Sequence, residues 1–474
     1  MVLPRVDTPA LAGKKRGWYS KVLVLTIITT GTDPCKQGAR TIKVCFETLG
    51  CKVNQYETQA IAALLRERGH TIGAPGDGCD AIVVNTCAVT AESGRKSRQA
   101  VRRLRQIEPG AVVAVCGCFS QVSPEDIRAL GVDIIAGSGD RAGLVDAVEK
   151  AVLKATEAKK GPPEEYLDNA LSRRAFESLP AGGGLGRTRA MLKIQDGCSN
   201  FCTYCIIPYA RGPSRSMPLE EAVREIKRLR EEGYGEVVVT GIEISSYSDD
   251  IQGETLTGAV SALCRAAHPA RVRLGSLEPR SVTPEFVEMA RDNDNLCRHF
   301  HLSLQSGCDA TLRRMKRRYT TAQFYEAVSR LREAFPHCGI TADLIVGFPG
   351  ETEEEFQETL GFIRRCAFSD MHIFPYSPRP GTPAASMPDQ LDRKTKKRRA
   401  GIAGEVAREM KEAFLRSCVG LVTEVLLETE EGGVSSGHAD FYAEVRVFST
   451  GLSGTLRRVR ITEAKEGALF GELL

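Results

Sequence analysis

The sequence predicts an α/β protein in three parts: a doubly wound parallel sheet, a central open (βα)6 barrel and a small all-β barrel at the C-terminus. Three observations carry this. Short apolar strands alternate with amphipathic helices from Thr41 to about residue 154, and again from about 188 to 416. A stretch dense in Pro and Gly separates the two series. From about 417 the pattern changes to strands broken by Gly-rich turns. At 474 residues, and roughly 150 residues per domain, about three domains fit.

Taken in order, residues 1–40 form an extension with no assigned role. Its apolar run VLVLTII (22–28) is preceded by Lys14, Lys15 and Arg16, but it is far shorter than the ~20 residues of a membrane span, and no small-residue cleavage site follows. TIKVCFETL (41–49) alternates as a strand. Asn54 with Glu57 three positions on marks a helix start, and Tyr56, Ala60, Ile61, Leu64 and Leu65 give that helix an apolar face. AIVVNT (81–86), AVVAV (111–115) and DIIAG (133–137) are further strands, with a basic helix over 93–107. These make up a first domain, 41–154, followed by a linker, 155–187, carrying KKGPPEEY and LPAGGGLG.

The second domain, 188–416, has strands at 190–195, 236–240, 271–275, 299–304, 340–346 and 370–374. Thr283-Pro284, and Thr352 with Glu355, mark helix starts. Six βα units predict an open barrel where a closed one would need eight, and the helical segment 391–416 completes it. In the last domain, 417–474, GLVTEVLLE (420–428), FYAEVRVF (441–448) and LRRVRI (456–461) read as strands of a barrel of the oligonucleotide-binding sort.

A hydrophobic content of 42% and a charged content of 26% exclude disorder and collagen-like repeats, and a net charge of +4 requires any nucleic-acid contact to come from local patches. Sixteen cysteines are too few for a disulfide scaffold and call for a reducing, cytoplasmic setting in which thiols bind metal. Cys198, Cys202 and Cys205 lie in DGCSNFCTYC, a C-x3-C-x2-C spacing just after the first barrel strand. Three thiolates on one loop can hold three corners of a [4Fe–4S] cube, leaving the fourth iron open. Zinc would want a fourth ligand nearby, and the next candidates are Cys264 and His268. Cys51, Cys87 and Cys118 each follow a predicted parallel strand, so the fold delivers them to one sheet edge as a second candidate metal site. Cys116 competes for the third position. Cys118 is preferred because Cys116 still falls within the strand. The remaining cysteines read as small buried hydrophobes.

With its aromatic Tyr204 before the last Cys, the motif resembles that of the radical S-adenosylmethionine (SAM) enzymes. The added domain with Cys51, Cys87 and Cys118 and the terminal β-barrel make residues 41–474 similar to the methylthiotransferases. TLGCKVNQYE (48–57), QDGCSNFCTYCIIPYARGPSRS (195–216), HLSLQSGCD (301–309), ADLIVGFPGET (342–352) and HIFPYSPRPGTPA (372–384) look most like the branch acting on N6-threonylcarbamoyladenosine in tRNA. One departure is in VTGIEISSYSDD (239–250), where Glu243 and Ser245 stand in place of that branch's usual His and Gly.

The resemblance implies two [4Fe–4S] clusters. The one at Cys198, Cys202 and Cys205 would chelate SAM, whose reductive cleavage yields a 5′-deoxyadenosyl radical. Such a route suits adenine C2, whose C–H is not acidic. The auxiliary one at Cys51, Cys87 and Cys118 would carry the added sulfur. The product would be a 2-methylthio group on the adenosine next to the anticodon (position 37). Alternatives are the same chemistry on isopentenyladenosine or on a ribosomal-protein Asp, and, from another class, a non-catalytic RNA-binding protein with structural zinc.

Further cofactor-binding candidates sit at strand ends, namely Gly241, Ser276, Glu278, Gln305 and Val346. Partners implied are tRNA, gripped by a terminal TRAM domain, and a reducing protein of flavodoxin or ferredoxin type, with neither membrane nor DNA expected. Basic patches at 95–105, 313–319, 393–399 and 457–460 are candidate RNA-facing surfaces, with Phe441 and Tyr442 either stacking on bases or lying in the core.

Overall fold

Strand–helix alternation produces β1 (Lys43–Thr48), α1 (Lys52–Glu67), β2 (Thr71–Ile72), β3 (Ala81–Thr86), α2 (Ala91–Ile107), β4 (Val112–Gly117), α3 (Cys118–Val122), α4 (Pro124–Arg128), β5 (Ile134–Ala136), α5 (Arg141–Lys154) and β6 (Glu164–Tyr166). The computed structural model describes residues 40–154, 161–182, 188–248, 250 and 253–474, so the expectation for the extension 1–40 lies outside the described residues apart from Arg40. All six strands are parallel, in the order β2-β1-β3-β4-β5-β6. β3 and β4 are buried along their whole length, because helices cover both faces of the sheet. Ile61 and Leu65 of α1 pack with Leu144 and Val148 of α5 on one face. Val101, Leu104, Phe119 and Ile127 from α2, α3 and α4 pack on the other. The order reverses between β1 and β3, which opens a crevice at their carboxyl ends.

The segment expected as a linker, 155–187, does more than connect. Its described part supplies β6, paired with β5, and buries Leu179 and Ala181. Tyr56 donates its hydroxyl to the Leu179 carbonyl at 2.6 Å.

The second series runs β7 (Arg189–Lys193), β8 (Gln195–Asp196), α6 (Ile207–Arg211), β9 (Arg215–Ser216), α7 (Leu219–Glu231), β10 (Glu236–Thr240), α8 (Leu256–Ala267), β11 (Arg271–Leu274), β12 (Ser276–Leu277), α9 (Pro284–Asp292), β13 (His299–Gln305), α10 (Asp309–Arg314), α11 (Thr321–Ala334), β14 (Gly339–Val346), α12 (Glu353–Cys366), β15 (Asp370–Pro375) and α13 (Arg393–Ser417). β7, β10 and β11 pair in parallel, as do β12, β13, β14 and β15. β11 and β12 are successive pieces of one stave, separated by Gly275, so six staves form the open barrel. Alternation along β13 sends Phe300, Leu302 and Leu304 outward into the helix-covered core and leaves His299, His301, Ser303 and Gln305 for the lumen. α1 of the first sheet packs against β7, with Lys193 Nζ 5.6 Å from the Tyr56 ring centre.

The C-terminal strands β16 (Val422–Glu431), β17 (Val434–Ala439), β18 (Glu444–Val447), β19 (Leu456–Lys465) and β20 (Ala468–Leu473) close into a barrel in the order β16-β17-β18-β20-β19. Val425, Leu427, Val445, Val459, Ile461 and Leu469 fill it. β17 (VSSGHA) and β20 (ALFGEL) add two strands to the three expected, since Gly and small polar residues blur their alternation. The expected strand at 441–448 shortens to 444–447. Phe441 is a core residue, and Tyr442 sits at positive φ.

This barrel caps the N-terminal rim of the larger one. Glu236 accepts from Arg271 at 2.6 Å and from Arg273 at 2.7 Å. The same two guanidinium groups donate onward to the carbonyls of Glu424, His438, Ala439 and Asp440. Tyr442 stacks on His299 with ring centres 4.5 Å apart. The approach is so close that a Cβ on Gly339 would lie 2.1 Å from the Phe441 carbonyl oxygen. No helix among the described residues is long and apolar enough to cross a membrane.

Glu236→Gln would leave Arg271 and Arg273 buried without a counter-charge. The expected cost is about 3–5 kcal/mol, read as a lowered denaturant midpoint. A midpoint equal to that of the parent protein would show that the rim does not depend on this carboxylate.

Candidate metal centres

Cys51 caps α1 just past β1, Cys87 follows β3, and Cys118 opens α3 directly after β4. The three thiols influence one another electrostatically in every pairing, so the sheet edge gathers them into one cluster. Gly50 permits this. It sits at φ +113°, and a Cβ there would lie 2.8 Å from Cys87 Cβ and 3.0 Å from its Sγ. Asn54 ties the two strand ends together, donating to the carbonyls of Leu49 (2.8 Å) and Thr86 (3.0 Å). Cys116, the rival ligand, is fully buried among Ile134, Leu144 and Val148 on the opposite side of the sheet from α3.

Cys198, Cys202 and Cys205 occupy the loop between β8 and α6. The loop is held by Cys198 N–H donating to Gly212 O (3.0 Å) and Thr203 N–H to Met315 O (3.1 Å). Arg317 Nη1 donates to Cys202 Sγ at 3.3 Å. Burial pushes the Cys198 and Cys205 thiols up to about 12. Cys202 adds to this at Cys205 and so, from the other triad, does Cys118. The two triads therefore lie within electrostatic reach of each other. Metal loading must displace these protons.

Charged residues beside the cysteines supply the compensation that thiolates need. Arg211, at the end of α6, donates Nε to Cys118 Sγ at 3.2 Å, and its other nitrogens reach Glu57 (2.7 Å), Asp196 (3.1 Å) and Asn54 (2.9 Å). Arg141 reaches Glu57 at 2.9 Å, and Lys193 reaches Asp196 at 3.0 Å. Arg141, Lys193, Arg211 and Glu57 are wholly buried. Arg379 Nη2 is buried with no hydrogen-bond partner, on a side chain that senses the charge of Cys87. A buried surplus of cations and an orphaned donor beside three thiols fit a group of negative charge, as a thiolate-ligated iron–sulfur cluster is.

The strand-end candidates divide. Glu278 is brought to the cysteine loop, ion-paired with Arg317 and set against Glu243. Burial pushes the Glu243 carboxyl up to about 8, Glu278 adding to the effect, and Glu243 in turn influences Cys198. Gly241 faces Gln195, whose carbonyl oxygen a Cβ would meet at 2.9 Å. Ser276 is exposed, and Gln305 ends β13 at φ +65°. Tyr204 packs edge-on to Phe348, ring centres 6.4 Å apart. Val346 turns outward into the core with Leu344 and Phe356, so only its backbone is available at the strand end. Sequence reasoning missed Arg211, Asp196, Lys193 and Arg379, and assigned Arg317 to an RNA patch although it is buried at the cysteine loop. Arg399, in another patch, is likewise buried and paired with Glu351 at 2.5 Å. For Lys193, Asp196 and Arg211 the available signal was charge flanking the C-x3-C-x2-C motif; Arg379 and Arg399 lie in no cysteine motif.

Comparison with known proteins matches residues 192–363 to the Radical SAM superfamily and residues 43–137 to the family described as Uncharacterized protein family UPF0004. The chain is 39% identical over 429 residues to "Threonylcarbamoyladenosine tRNA methylthiotransferase MtaB" of Bacillus subtilis (strain 168), covering 89% of this chain and 94% of that one. The Thermotoga maritima protein of the same name is 35% identical over 425 residues, with 89% and 95% covered. The "tRNA-2-methylthio-N(6)-dimethylallyladenosine synthase" of Bacillus subtilis is 31% identical over 450 residues, with 91% and 86% covered. Among solved structures, the radical S-adenosylmethionine methyltransferase TsrM from Kitasatospora setae shares the fold, with a TM-score of 0.50 at 14% identity over 83% of this chain and 79% of that one.

Burial opposes ionisation of Glu57, but Arg141, Arg211 and Lys193 outweigh it and hold the carboxyl down at about 2. A depressed carboxylate contributes stability in full above its unfolded value near 4.5, and that contribution is lost as pH falls toward about 2. Thermal midpoints measured across this window should therefore fall steeply in the parent and less steeply in Glu57→Gln, which starts lower. Parallel profiles would show that Glu57 does not carry the acid sensitivity.

Proposed function

Because the chain belongs to the radical SAM tRNA methylthiotransferases, we propose that its substrate is N6-threonylcarbamoyladenosine next to the anticodon, methylthiolated at C2. The observation that carries this choice is the order of likeness: 39% and 35% identity to threonylcarbamoyladenosine enzymes against 31% to a dimethylallyladenosine enzyme. On this reading residues 41–154 carry the auxiliary cysteines, 188–416 the SAM-cleaving core and 417–474 an RNA-gripping module.

Cys198, Cys202 and Cys205 would hold the [4Fe–4S] cluster at which SAM binds, and Cys51, Cys87 and Cys118 a second cluster for the sulfur. With SAM, the first cluster supplies radical chemistry able to break an aromatic C–H bond that no acid or base here could ionise. Arg317 orients Cys202 and fixes Glu278, and the Glu278–Glu243 pair offers carboxylate oxygens to the amino group of SAM. Arg211 and Arg379 balance the charge of the auxiliary ligands. A flavodoxin- or ferredoxin-type protein donates the electron, in a cytoplasmic setting. For the RNA, a cavity of about 800 Å³ lies between α2 and α13, lined by Phe374, Tyr376, Arg393, Lys396 and Lys397. Aromatic and cationic side chains interleave there as a nucleic-acid backbone and its bases require. Arg457, Arg458 and Arg460 stay exposed on β19.

Mass spectrometry of nucleosides from tRNA of cells with and without the gene tests the substrate. Loss of the methylthio group from threonylcarbamoyladenosine is expected. Loss from dimethylallyladenosine alone would overturn the substrate and keep the chemistry. Cys202→Ala and Cys87→Ala should each lower iron content by about half. Only Cys202→Ala should abolish 5′-deoxyadenosine formation, and its persistence there would remove that triad from the reaction.

A further inference from the structure

Lys52, the residue after Cys51, is a cation with no carboxylate in direct contact, feeling Glu236 and Asp343 only at a distance. Its ammonium group has no hydrogen-bond or ion-pair partner among the described residues. The cations around it are all engaged. Arg189 is paired with Glu428 at 2.8 Å, and Arg273 with Glu236 at 2.7 Å and the Asp440 carbonyl at 2.8 Å. The lumen carboxylate Asp343 is taken by His372 at 3.0 Å and His301 at 3.4 Å.

Lys52 lines a cavity of about 360 Å³ together with Gln55, Arg189, Arg273, Glu428 and Tyr442. The cavity opens into the barrel, because Arg189 lies on β7 and Arg273 on β11, and its far wall is the C-terminal barrel's Tyr442. Of the cavity's three lining cations, Lys52, Arg189 and Arg273, the two arginines are already ion-paired, with Glu428 and Glu236. The ammonium of Lys52 is the cation left over, and it favours an anion over a neutral alkyl group because its hydrogen bond to an anion is charge-assisted.

We propose that this cavity receives the N6 substituent of the target adenosine and that Lys52 binds the substituent's carboxylate, selecting an adenosine that carries an amino-acid acid over one that carries a neutral alkyl chain. The inference rests on the substrate reading above and adds the residue that reads it. Lys52 is covalently next to Cys51, so an acid held by its ammonium keeps the adenine ring beside the auxiliary cysteines. A ureido group on N6 folds its N–H toward N1, which puts the acid on the C2 side of the ring, where the sulfur must arrive.

The test uses the reconstituted holoenzyme and an anticodon stem-loop RNA carrying N6-threonylcarbamoyladenosine, compared with the same RNA in which the threonine carboxylate is a primary amide. Binding is read by fluorescence anisotropy at fixed salt. The parent protein should prefer the acid by about tenfold or more. Lys52→Met should bind both RNAs as the parent binds the amide, and Lys52→Arg should keep most of the preference. Equal affinity of the parent for acid and amide would overturn the proposal, as would a preference that survives in Lys52→Met. Iron content of Lys52→Met equal to the parent's shows that the Cys51 site is intact. Should it fall, the acid–amide comparison on the parent and Lys52→Arg still decides. Methylthio product from the acid RNA separates the two claims: its absence with the parent protein overturns the substrate reading, whereas its presence alongside equal affinities overturns the Lys52 pocket alone.

Discussion

Arg211 is the point on which the architecture turns. Its guanidinium is fully buried and reaches Cys118, the first helix of the N-terminal sheet and the carboxylate that precedes the C-x3-C-x2-C motif. Leaving the donors of a buried guanidinium unanswered costs stability. Glu57, Asp196 and Asn54 answer them, and they can do so only while α1 stays docked on β7 and α6 keeps its place. The electrostatics of one side chain thus fixes where the two cysteine triads stand relative to each other.

The same rule recurs at the other end of the barrel. Glu236 gathers Arg271 and Arg273, and their remaining donors are spent on backbone carbonyls of the C-terminal barrel. The lumen is therefore bounded by charge at both ends and by apolar packing along its outer wall. Arg317 and Arg211 both donate to cysteine sulfur, and on the proposed reading such donors would make an iron–sulfur centre held there easier to reduce.

How much was legible in the sequence follows from the range of each interaction. C-x3-C-x2-C is local, so Cys198, Cys202 and Cys205 could be read directly. Cys51, Cys87 and Cys118 are far apart in the chain, yet parallel strands must all end at one edge, and that topological rule brought them together. Arg211 meets Cys118 across 93 residues and Glu57 across 154, and no spacing rule reaches that far. Arg317 and Arg399 looked like surface charge because a cluster of arginines reads the same whether its partners are phosphates or buried carboxylates. β17 and β20 escaped because a closing barrel tolerates Gly and Ser where an open sheet would show alternation.

The seam around Arg211 also says something about modularity. An N-terminal sheet excised from its barrel would expose Glu57 and Arg141 without Arg211 and leave Cys118 without its donor, so this sheet is not a portable part. Chimeras between relatives would have to exchange both sides of that seam together.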